Sequence, residues 1–425
     1  MERNWPDRFG RKRSNERTWV GAGFALQLAF DRHSPGTTQC ERYAKMRALE
    51  TPPALKGLTR WVTVCCVMAA PLVIGKLHAQ DFKYTIANGS ITITNYTGPG
   101  GNVAIPPTID GMPVTAIGGQ AFLGRTTLTA ITIPDGVTNI QDGFLTRGGV
   151  LGAFAQCGAL TNVSLGNGVL YLGMGTFTLC TSLTRVSIPD SVTTVGDFAF
   201  HNCEGLTDVR IGKSVTQLGP GLGYAFDGST NLTSVVIPGN VTNLGNYAFA
   251  FSASLASVAI ENGVTRIGDH AFHDCPSLTN ITLPASVTAI DDEAFADCSN
   301  LAGAYFKGNA PALTGPGDVF YYSSNVTVYY LPGTTGWGPT YAGRPTMLWN
   351  PQAQTTDGSF GVRQNRFGFN IASTPGIPIV VEASANLEAG SWIPLQSCTL
   401  TNGLIYFSDP QWTNYSRRNY RIRSP

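Results

Sequence analysis

Phenylalanine recurs at a nearly constant interval through the middle of this chain. Eight such residues are separated by 32, 23, 23, 26, 23, 23 and 23 positions: Phe122, Phe154, Phe177, Phe200, Phe226, Phe249, Phe272 and Phe295. A leucine follows each of them after six residues: Leu128, Leu160, Leu183, Leu206, Leu232, Leu255, Leu278 and Leu301. A unit of about 23 residues is too short to bury its own apolar side chains, so its copies must stack. The period therefore predicts a β-rich solenoid in which these phenylalanines and leucines form buried ladders.

The unit between Phe272 and Phe295 indicates how each repeat folds. Ile281 and Leu283 alternate with polar residues, as in a short strand with one buried face. Pro284 ends this strand because proline cannot donate a hydrogen bond to a neighbouring strand. Proline or glycine stands at the equivalent position of other repeats. Each repeat is thus predicted to be a strand, a turn and an apolar return segment.

The unit resembles the BspA-like class of leucine-rich repeats, which have the form AFxxCxxLxxIxIPxxVxxIG. The resemblance covers residues 114–306. It implies a curved solenoid displayed on, or released from, bacterial cells, in a class whose members act as adhesins. The chain departs from the pattern through a nine-residue insertion within 141–152 and a three-residue insertion near 220–223. Arg125, Ser229 and Ser252 also replace the usual cysteine.

The segments on either side of the repeats divide the rest of the chain. Residues 80–113 predict an N-terminal β-hairpin cap, and residues 114–332 the solenoid itself. Residues 333–358 are rich in Gly, Pro, Thr and Gln and predict a linker. Residues 359–425 predict a small antiparallel β-sandwich. The stretch from Val380 to Pro425 resembles a C-terminal β-sandwich domain found in secreted repeat proteins of verrucomicrobial bacteria.

An apolar run at residues 61–74 indicates export. It follows Lys56 and Arg60 and precedes a small residue, Ala79, which suits cleavage by signal peptidase. The run is too short for a permanent membrane span, which needs about 20 apolar residues. We therefore expect a signal peptide at residues 46–79 with cleavage near Ala79. Residues 1–45 are expected to be a non-native or unstructured extension, since signal peptides begin near the start of a chain.

The charge distribution excludes one class of partner. Residues 1–79 contain 13 Lys and Arg and 6 Asp and Glu, whereas residues 80–425 contain 15 Lys and Arg and 21 Asp and Glu. Phosphate backbones are bound by clustered basic residues, and no such cluster lies beyond Lys76. Nucleic acid is therefore not an expected partner.

The sequence predicts neither catalysis nor a cofactor. It contains no GxSxG, HExxH or phosphate-binding loop motif. Five cysteines lie three residues after a repeat phenylalanine, which a periodic buried position explains without chemistry: Cys157, Cys180, Cys203, Cys275 and Cys298. No metal is predicted at the cysteines, because ligands spaced by whole repeats form a line and not a tetrahedron. A disulfide between Cys180 and Cys203 stays open as an alternative, since an exported chain meets oxidising conditions.

Histidines and carboxylates cluster in two adjacent repeats. His270 and His273 lie between Asp269 and Asp274, and one repeat later come Asp292, Glu293 and Asp297. An oxygen-rich face of this kind could hold Ca²⁺. The sequence favours a solvated convex turn instead, because no calcium-loop motif accompanies these residues.

Outward-facing strand residues predict the binding surface, since solenoids usually bind partners on an extended sheet face. Most of these residues are small and polar, and Tyr305 is the aromatic residue among them. Arg185, Asp208 and Arg210 form a charged cluster on adjacent repeats, are expected to lie beside the nine-residue insertion, and are the predicted contact residues. The resulting hypothesis is a secreted or cell-surface protein that binds an extracellular protein or glycan through this sheet. The alternative is a structural envelope or matrix component without a discrete ligand.

Overall fold

The computed structural model describes residues 81–146, 149–387 and 391–425. The expected extension and signal peptide, residues 1–79, lie outside this part of the chain. The described residues form a β-solenoid of about ten turns, followed by a pair of small antiparallel sheets. Among them, no helix has the length and apolar character needed to cross a lipid bilayer.

Short strands, numbered in chain order, build the described part of the molecule. The N-terminal strands are β1 (Phe82–Ala87), β2 (Ser90–Tyr96), β3 (Gly101–Ala104), β4 (Thr108–Ile109), β5 (Met112–Ile117), β6 (Leu128–Thr132), β7 (Asn139–Ile140), β8 (Phe144–Thr146), β9 (Gly149–Leu151), β10 (Asn162–Ser164) and β11 (Tyr171–Leu172). The central strands are β12 (Arg185–Ser187), β13 (Thr194–Val195), β14 (Asp208–Arg210), β15 (Gln217–Leu218), β16 (Ser234–Ile237), β17 (Asn243–Leu244), β18 (Ser257–Ile260), β19 (Arg266–Ile267), β20 (Asn280–Leu283), β21 (Ala289–Ile290), β22 (Gly303–Phe306), β23 (Ala312–Leu313) and β24 (Thr327–Tyr330). The C-terminal strands are β25 (Thr340–Tyr341), β26 (Arg344–Leu348), β27 (Gln352–Gln354), β28 (Gly361–Arg363), β29 (Arg366–Ala372), β30 (Ile377–Ser384), β31 (Ile393–Leu400), β32 (Leu404–Asp409) and β33 (Asn419–Arg423).

A typical coil of the solenoid has three sides. The first side contributes a strand to the first sheet, ordered β12-β14-β16-β18-β20-β22-β24-β26-β25. The second side contributes a two-residue strand to the second sheet, which runs from β1 through β2, β5, β7 and β11 to β23. The third side consists of turns and carries the repeat phenylalanine. Within the coils, strands pair in parallel with the strand one repeat away, as Val235 does with Val258.

This constant register stacks equivalent side chains and confirms the predicted ladders. All eight repeat phenylalanines and all eight repeat leucines are fully buried. The phenylalanine rings stack from Phe122 to Phe295 and continue to Phe320, with centroids 4.8–5.9 Å apart. At the N-terminal end Tyr96 stacks on Phe122 at 5.1 Å. The ladder thus forms the axis of one continuous core.

The N-terminal hairpin joins the solenoid as part of the second sheet. β1 and β2 are antiparallel and are connected through Asn88 and Gly89, whose φ angles of 51° and 71° match the two-residue turns that favour this residue pair. β2 then pairs in parallel with β5. Phe82 on β1 is buried against Tyr96, so the hairpin covers the end of the phenylalanine ladder.

The segment expected to be a linker is structured. In residues 333–358, β26 pairs in parallel with β24 and extends the first sheet by one more strand. Trp337 and Tyr341 pack on Phe306, with ring centroids 5.0 Å and 5.4 Å away. The burial of these aromatic rings outweighs a composition that is otherwise typical of linkers.

The C-terminal sheets pack directly on the solenoid. One contains β27, β28, β29 and β32, and the other contains β30, β31 and β33. Their shared core includes Tyr305 and Tyr329, which point outward from the first sheet. The ring of Trp349 adds a hydrogen bond from Nε1 to the Pro378 carbonyl at 3.0 Å. Tyr305, expected on the solvent face of the sheet, is therefore covered and only 4% exposed.

Candidate functional site

The three predicted contact residues lie together on the outer face of the first sheet. Arg185 on β12 is directly opposite Asp208 on β14, and Arg210 is opposite Ser187. All three side chains are exposed, while Val186 and Val209 between them face the core. The strand alternation therefore presents the charged residues on one surface, as their spacing predicts.

Arg210 is the most constrained of the three. Its Nη2 lies 2.9 Å from Oδ1 of Asp190, and its Nη1 donates to the Ile188 carbonyl at 3.2 Å. The backbone N–H of Lys213 also donates to Asp190, and together with Arg210 it lowers the pKa of that carboxyl group. Both side chains of the ion pair are more than half exposed, so the pair orients Arg210 and adds little stability.

A cleft lies beside this charged cluster, where the sheet face is interrupted. β10 closes a separate sheet of order β10-β6-β3, and β12 begins the first sheet. The cleft between these strands has a volume of about 510 Å³. Its polar lining consists of Asn162, Ser164, Asn167, Ser187, Asp190 and Arg210. Of the three predicted residues, Arg210 lines this cleft, while Arg185 and Asp208 lie on the adjoining sheet surface.

The strand sequences do not mark this interruption. Asn162–Ser164 and Arg185–Ser187 have the same pattern of an inward valine between two outward polar residues. A regular repeat therefore predicts an unbroken sheet. Such a break exposes backbone groups at strand edges, which are able to pair with another chain.

The nine-residue insertion forms a separate hairpin, β8 and β9. Gly143, just before it, donates its N–H to the Met174 carbonyl at 2.9 Å, in the segment that follows β11 of the second sheet. Phe144 and Leu145 on β8 are exposed. This hairpin was expected beside the charged cluster, but it adjoins the second sheet and the cluster lies on the first.

A second aromatic ladder, not predicted from the sequence, follows the third side. Phe198, Tyr224, Tyr247 and His270 each stand two residues before a repeat phenylalanine, and their rings stack at 4.7, 4.4 and 4.5 Å. Their φ angles lie between 50° and 62°, in the left-handed region that is uncommon for bulky residues. The same conformation recurs at Leu179 and Glu293, with φ angles of 60° and 51°, so it belongs to the turn of the repeat. The sequence feature that could have predicted this second ladder is a ring-bearing residue at the same position of four consecutive repeats.

The ladder ends in an imidazole held between two carboxylates. His270 Nδ1 lies 3.0 Å from Oδ1 of Asp269, and His270 Nε2 lies 2.9 Å from Oε2 of Glu293. Burial of the ring lowers the pKa of His270, but Asp269, Glu293 and Asp292 together outweigh this effect, so that its pKa is raised. The His270 side chain is 19% exposed and that of His273 is 15% exposed. These histidines are therefore part of a packed surface.

The periodic cysteines are buried free thiols with a shared structural role. Each Sγ lies within hydrogen-bonding distance of the carbonyl of the repeat phenylalanine one coil earlier: Cys157 to Phe122, Cys180 to Phe154, Cys203 to Phe177, Cys275 to Phe249 and Cys298 to Phe272, at 3.1–3.4 Å. Ser323 makes the equivalent bond to Phe295 at 2.8 Å, whereas the buried Oγ atoms of Ser229 and Ser252 have no hydrogen-bond partner among the described residues. Burial raises the pKa of Cys203 to about 12, so this thiol is protonated at neutral pH.

Comparison with solved structures identified several bacterial leucine-rich repeat proteins. The T. pallidum leucine-rich repeat protein TpLRR is 26% identical, with a TM-score of 0.42 over 52% of this chain and 89% of its own. A leucine-rich repeat protein from Bacteroides ovatus is also 26% identical, with a TM-score of 0.42 over 59% of this chain and 70% of its own. The pneumococcal vaccine antigen PcpA is 15% identical, with a TM-score of 0.26 over 63% of this chain and 97% of its own. No curated protein matches the chain.

Comparison with protein families gave a match over the solenoid. The model for the BspA type leucine-rich repeat region matches residues 108–222 and 223–336, in six copies. These ranges include all eight repeat phenylalanines and more than half of the chain. The protein belongs to the BspA-type leucine-rich repeat family.

Proposed function

We propose that this protein is exported and binds a protein or glycan outside the cell through the first sheet and the cleft at its interruption. Proteins of the BspA-type family are typically surface or adhesion proteins. The observation that carries the proposal is the cleft, which brings the guanidinium of Arg210 beside exposed polar groups at the edges of β10 and β12. Export through a signal peptide at residues 46–79 is part of the same proposal.

The chemistry of the cleft favours a polar or anionic ligand. Amide and hydroxyl side chains both donate and accept hydrogen bonds, and Asn162, Ser164 and Ser187 offer such groups to sugar hydroxyls or to an extended peptide. Arg210 adds a planar set of N–H donors that matches a carboxylate. Arg185 and Asp208, which oppose each other on the adjoining strands, extend this recognition surface along the sheet.

We propose no catalytic activity. Solenoids of this family are typically non-enzymatic. Binding suits the cleft, because its carboxylate, Asp190, is held by Arg210 and by the N–H of Lys213, and no histidine is among the described residues that line it beside Ser164 and Ser187.

The proposal is tested by screening the protein against arrays of glycans and extracellular matrix proteins. The variant carries Arg185→Ser, Asp208→Ser and Arg210→Ser together. The matched control carries Lys307→Ser, Arg363→Ser and Glu204→Ser, which are exposed residues outside the cluster and change the net charge by the same amount. We expect retention of captured ligands to fall at least tenfold in the first variant and to stay unchanged in the control.

Two outcomes contradict the proposal. One is equal binding of every captured ligand by the wild type and the cluster variant. The other is an array without any captured ligand, combined with concentration-dependent assembly of the purified chain in analytical ultracentrifugation. That second result favours the alternative, a structural envelope or matrix component that self-associates.

A further inference from the structure

We propose that His270, His273 and Glu293 form a binding site for a divalent transition-metal ion such as Zn²⁺. These three residues each offer one ligand atom, and the three atoms lie within 4.8 Å of one another. The sequence favours a solvated turn over a Ca²⁺ site here, and it does not show that these three side chains meet. The inference is independent of the binding function proposed for the first sheet.

The solenoid backbone holds the three residues in register. His270 and Glu293 occupy the same position of consecutive repeats and share a left-handed backbone, with φ angles of 54° and 51°. The backbone N–H of His270 donates to the Asp292 carbonyl at 3.0 Å, and the backbone N–H of His273 donates to the His270 carbonyl at 3.0 Å. The site is therefore supported by the stacked coils and not by a loose loop.

The surroundings of His270 match those of a metal-binding histidine. Such histidines usually donate the N–H of one ring nitrogen to a carboxylate, which leaves the other nitrogen free for the metal. Oδ1 of Asp269 stands 3.0 Å from Nδ1 and is the carboxylate available for that role, while Nε2 lies 2.9 Å from Oε2 of Glu293. A metal ion would lie between these two facing atoms, Nε2 of His270 and Oε2 of Glu293.

The required rearrangement is small. Zinc binds imidazole nitrogen and carboxylate oxygen at about 2.0–2.2 Å, so tetrahedral ligand atoms stand about 3.3 Å apart. The 2.9 Å between His270 Nε2 and Glu293 Oε2 would open slightly, and the longer distances within the group, at most 4.8 Å, would shorten. His270 is already positioned by Tyr247, whose ring stacks on it at 4.5 Å, and Phe251 packs edge-on against His273 at 5.3 Å.

The donor set selects the class of metal. Two imidazoles and one carboxylate suit zinc and its neighbours in the first transition row. Calcium requires six to eight oxygen ligands, and a set with two nitrogens does not provide them. The fourth position is left for water or for a group of a ligand.

Calorimetric titration of Zn²⁺ into the tag-free, metal-stripped full chain at pH 7.5 tests the proposal. We expect the wild type to bind one more Zn²⁺, with micromolar or tighter affinity, than His270→Gln, His273→Gln or Glu293→Gln. The matched control is His201→Gln, because His201 lies in the same side of the solenoid and pairs with one carboxylate, Asp227, at 2.8 Å. We expect this control to bind Zn²⁺ like the wild type.

Further measurements identify folding defects and report on the coordination of the metal. Circular dichroism and the melting temperature of each metal-free variant identify any that fail to fold, and Co²⁺ in the wild type is expected to give the visible absorption of a four-coordinate site. Equal Zn²⁺ binding by the wild type and by folded His270→Gln and His273→Gln overturns the proposal. Displacement of Zn²⁺ by millimolar Ca²⁺ also overturns it.

Discussion

Replacement of Phe249 by alanine is expected to destabilise the solenoid strongly. The side chain is fully buried, with Phe226 stacked at 5.3 Å on one side and Phe272 at 5.8 Å on the other. Removal of a buried phenylalanine side chain costs about 3–5 kcal/mol. Two aromatic pairs, each contributing about 0.5–1.5 kcal/mol beyond burial, are lost at once. The expected cost therefore lies near the upper end of that range.

Phe251→Ala is a matched control two residues away. This phenylalanine is 42% exposed, so its removal is expected to cost less than about 1 kcal/mol. Denaturation in guanidinium chloride, followed by far-ultraviolet circular dichroism, compares both variants with the wild type. Equal shifts of the two midpoints would refute the reasoning that the ladder of repeat phenylalanines stabilises the fold.

Two other predictions concern titratable groups. Because burial raises the pKa of Cys203 to about 12, we expect maleimide at pH 8 to label the partly exposed Cys398 well before Cys203, as measured by peptide mass mapping; equal labelling rates contradict this. Glu382 on β30 accepts hydrogen bonds from two arginines on β33 at 2.7 and 2.6 Å. Burial raises its pKa, but these guanidinium groups outweigh that effect and lower it below the ordinary value. The stabilisation is therefore present above the ordinary glutamate range and is lost as the pH falls through the lowered pKa. We expect Glu382→Gln to melt at a lower temperature than the wild type at pH 7, with the difference shrinking towards pH 3; a constant difference contradicts the assignment.

Periodicity alone predicts much of the fold. A period of 23 residues requires stacking, and stacking in register places Phe226, Phe249 and Phe272 in one buried column whatever the details of the turns. The cysteines follow the same logic, since Cys203 recurs at an inward position. A regular repeat transfers local information into three dimensions because each coil contacts its immediate neighbours.

Composition was a poor guide at the C-terminal end. Gly, Pro and Thr around Trp337 indicated a linker, but aromatic packing on Phe306 orders the segment. Tyr305 was expected to face solvent because it occupies an outward strand position. It is covered because the C-terminal sheets dock there, a contact between segments about 60 or more residues apart that no strand pattern encodes.

The sequence by itself determined the repeat, its inward residues and the charged face that carries Arg185, Asp208 and Arg210. Only the tertiary structure decided that Arg210 borders an interruption of the sheet and that His270 meets Glu293. The physical reason is that a repeat pattern specifies which positions stack, whereas a site depends on side-chain contacts between coils. Those contacts follow from register, from left-handed backbone at single residues, and from the place where one pair of neighbouring strands does not join.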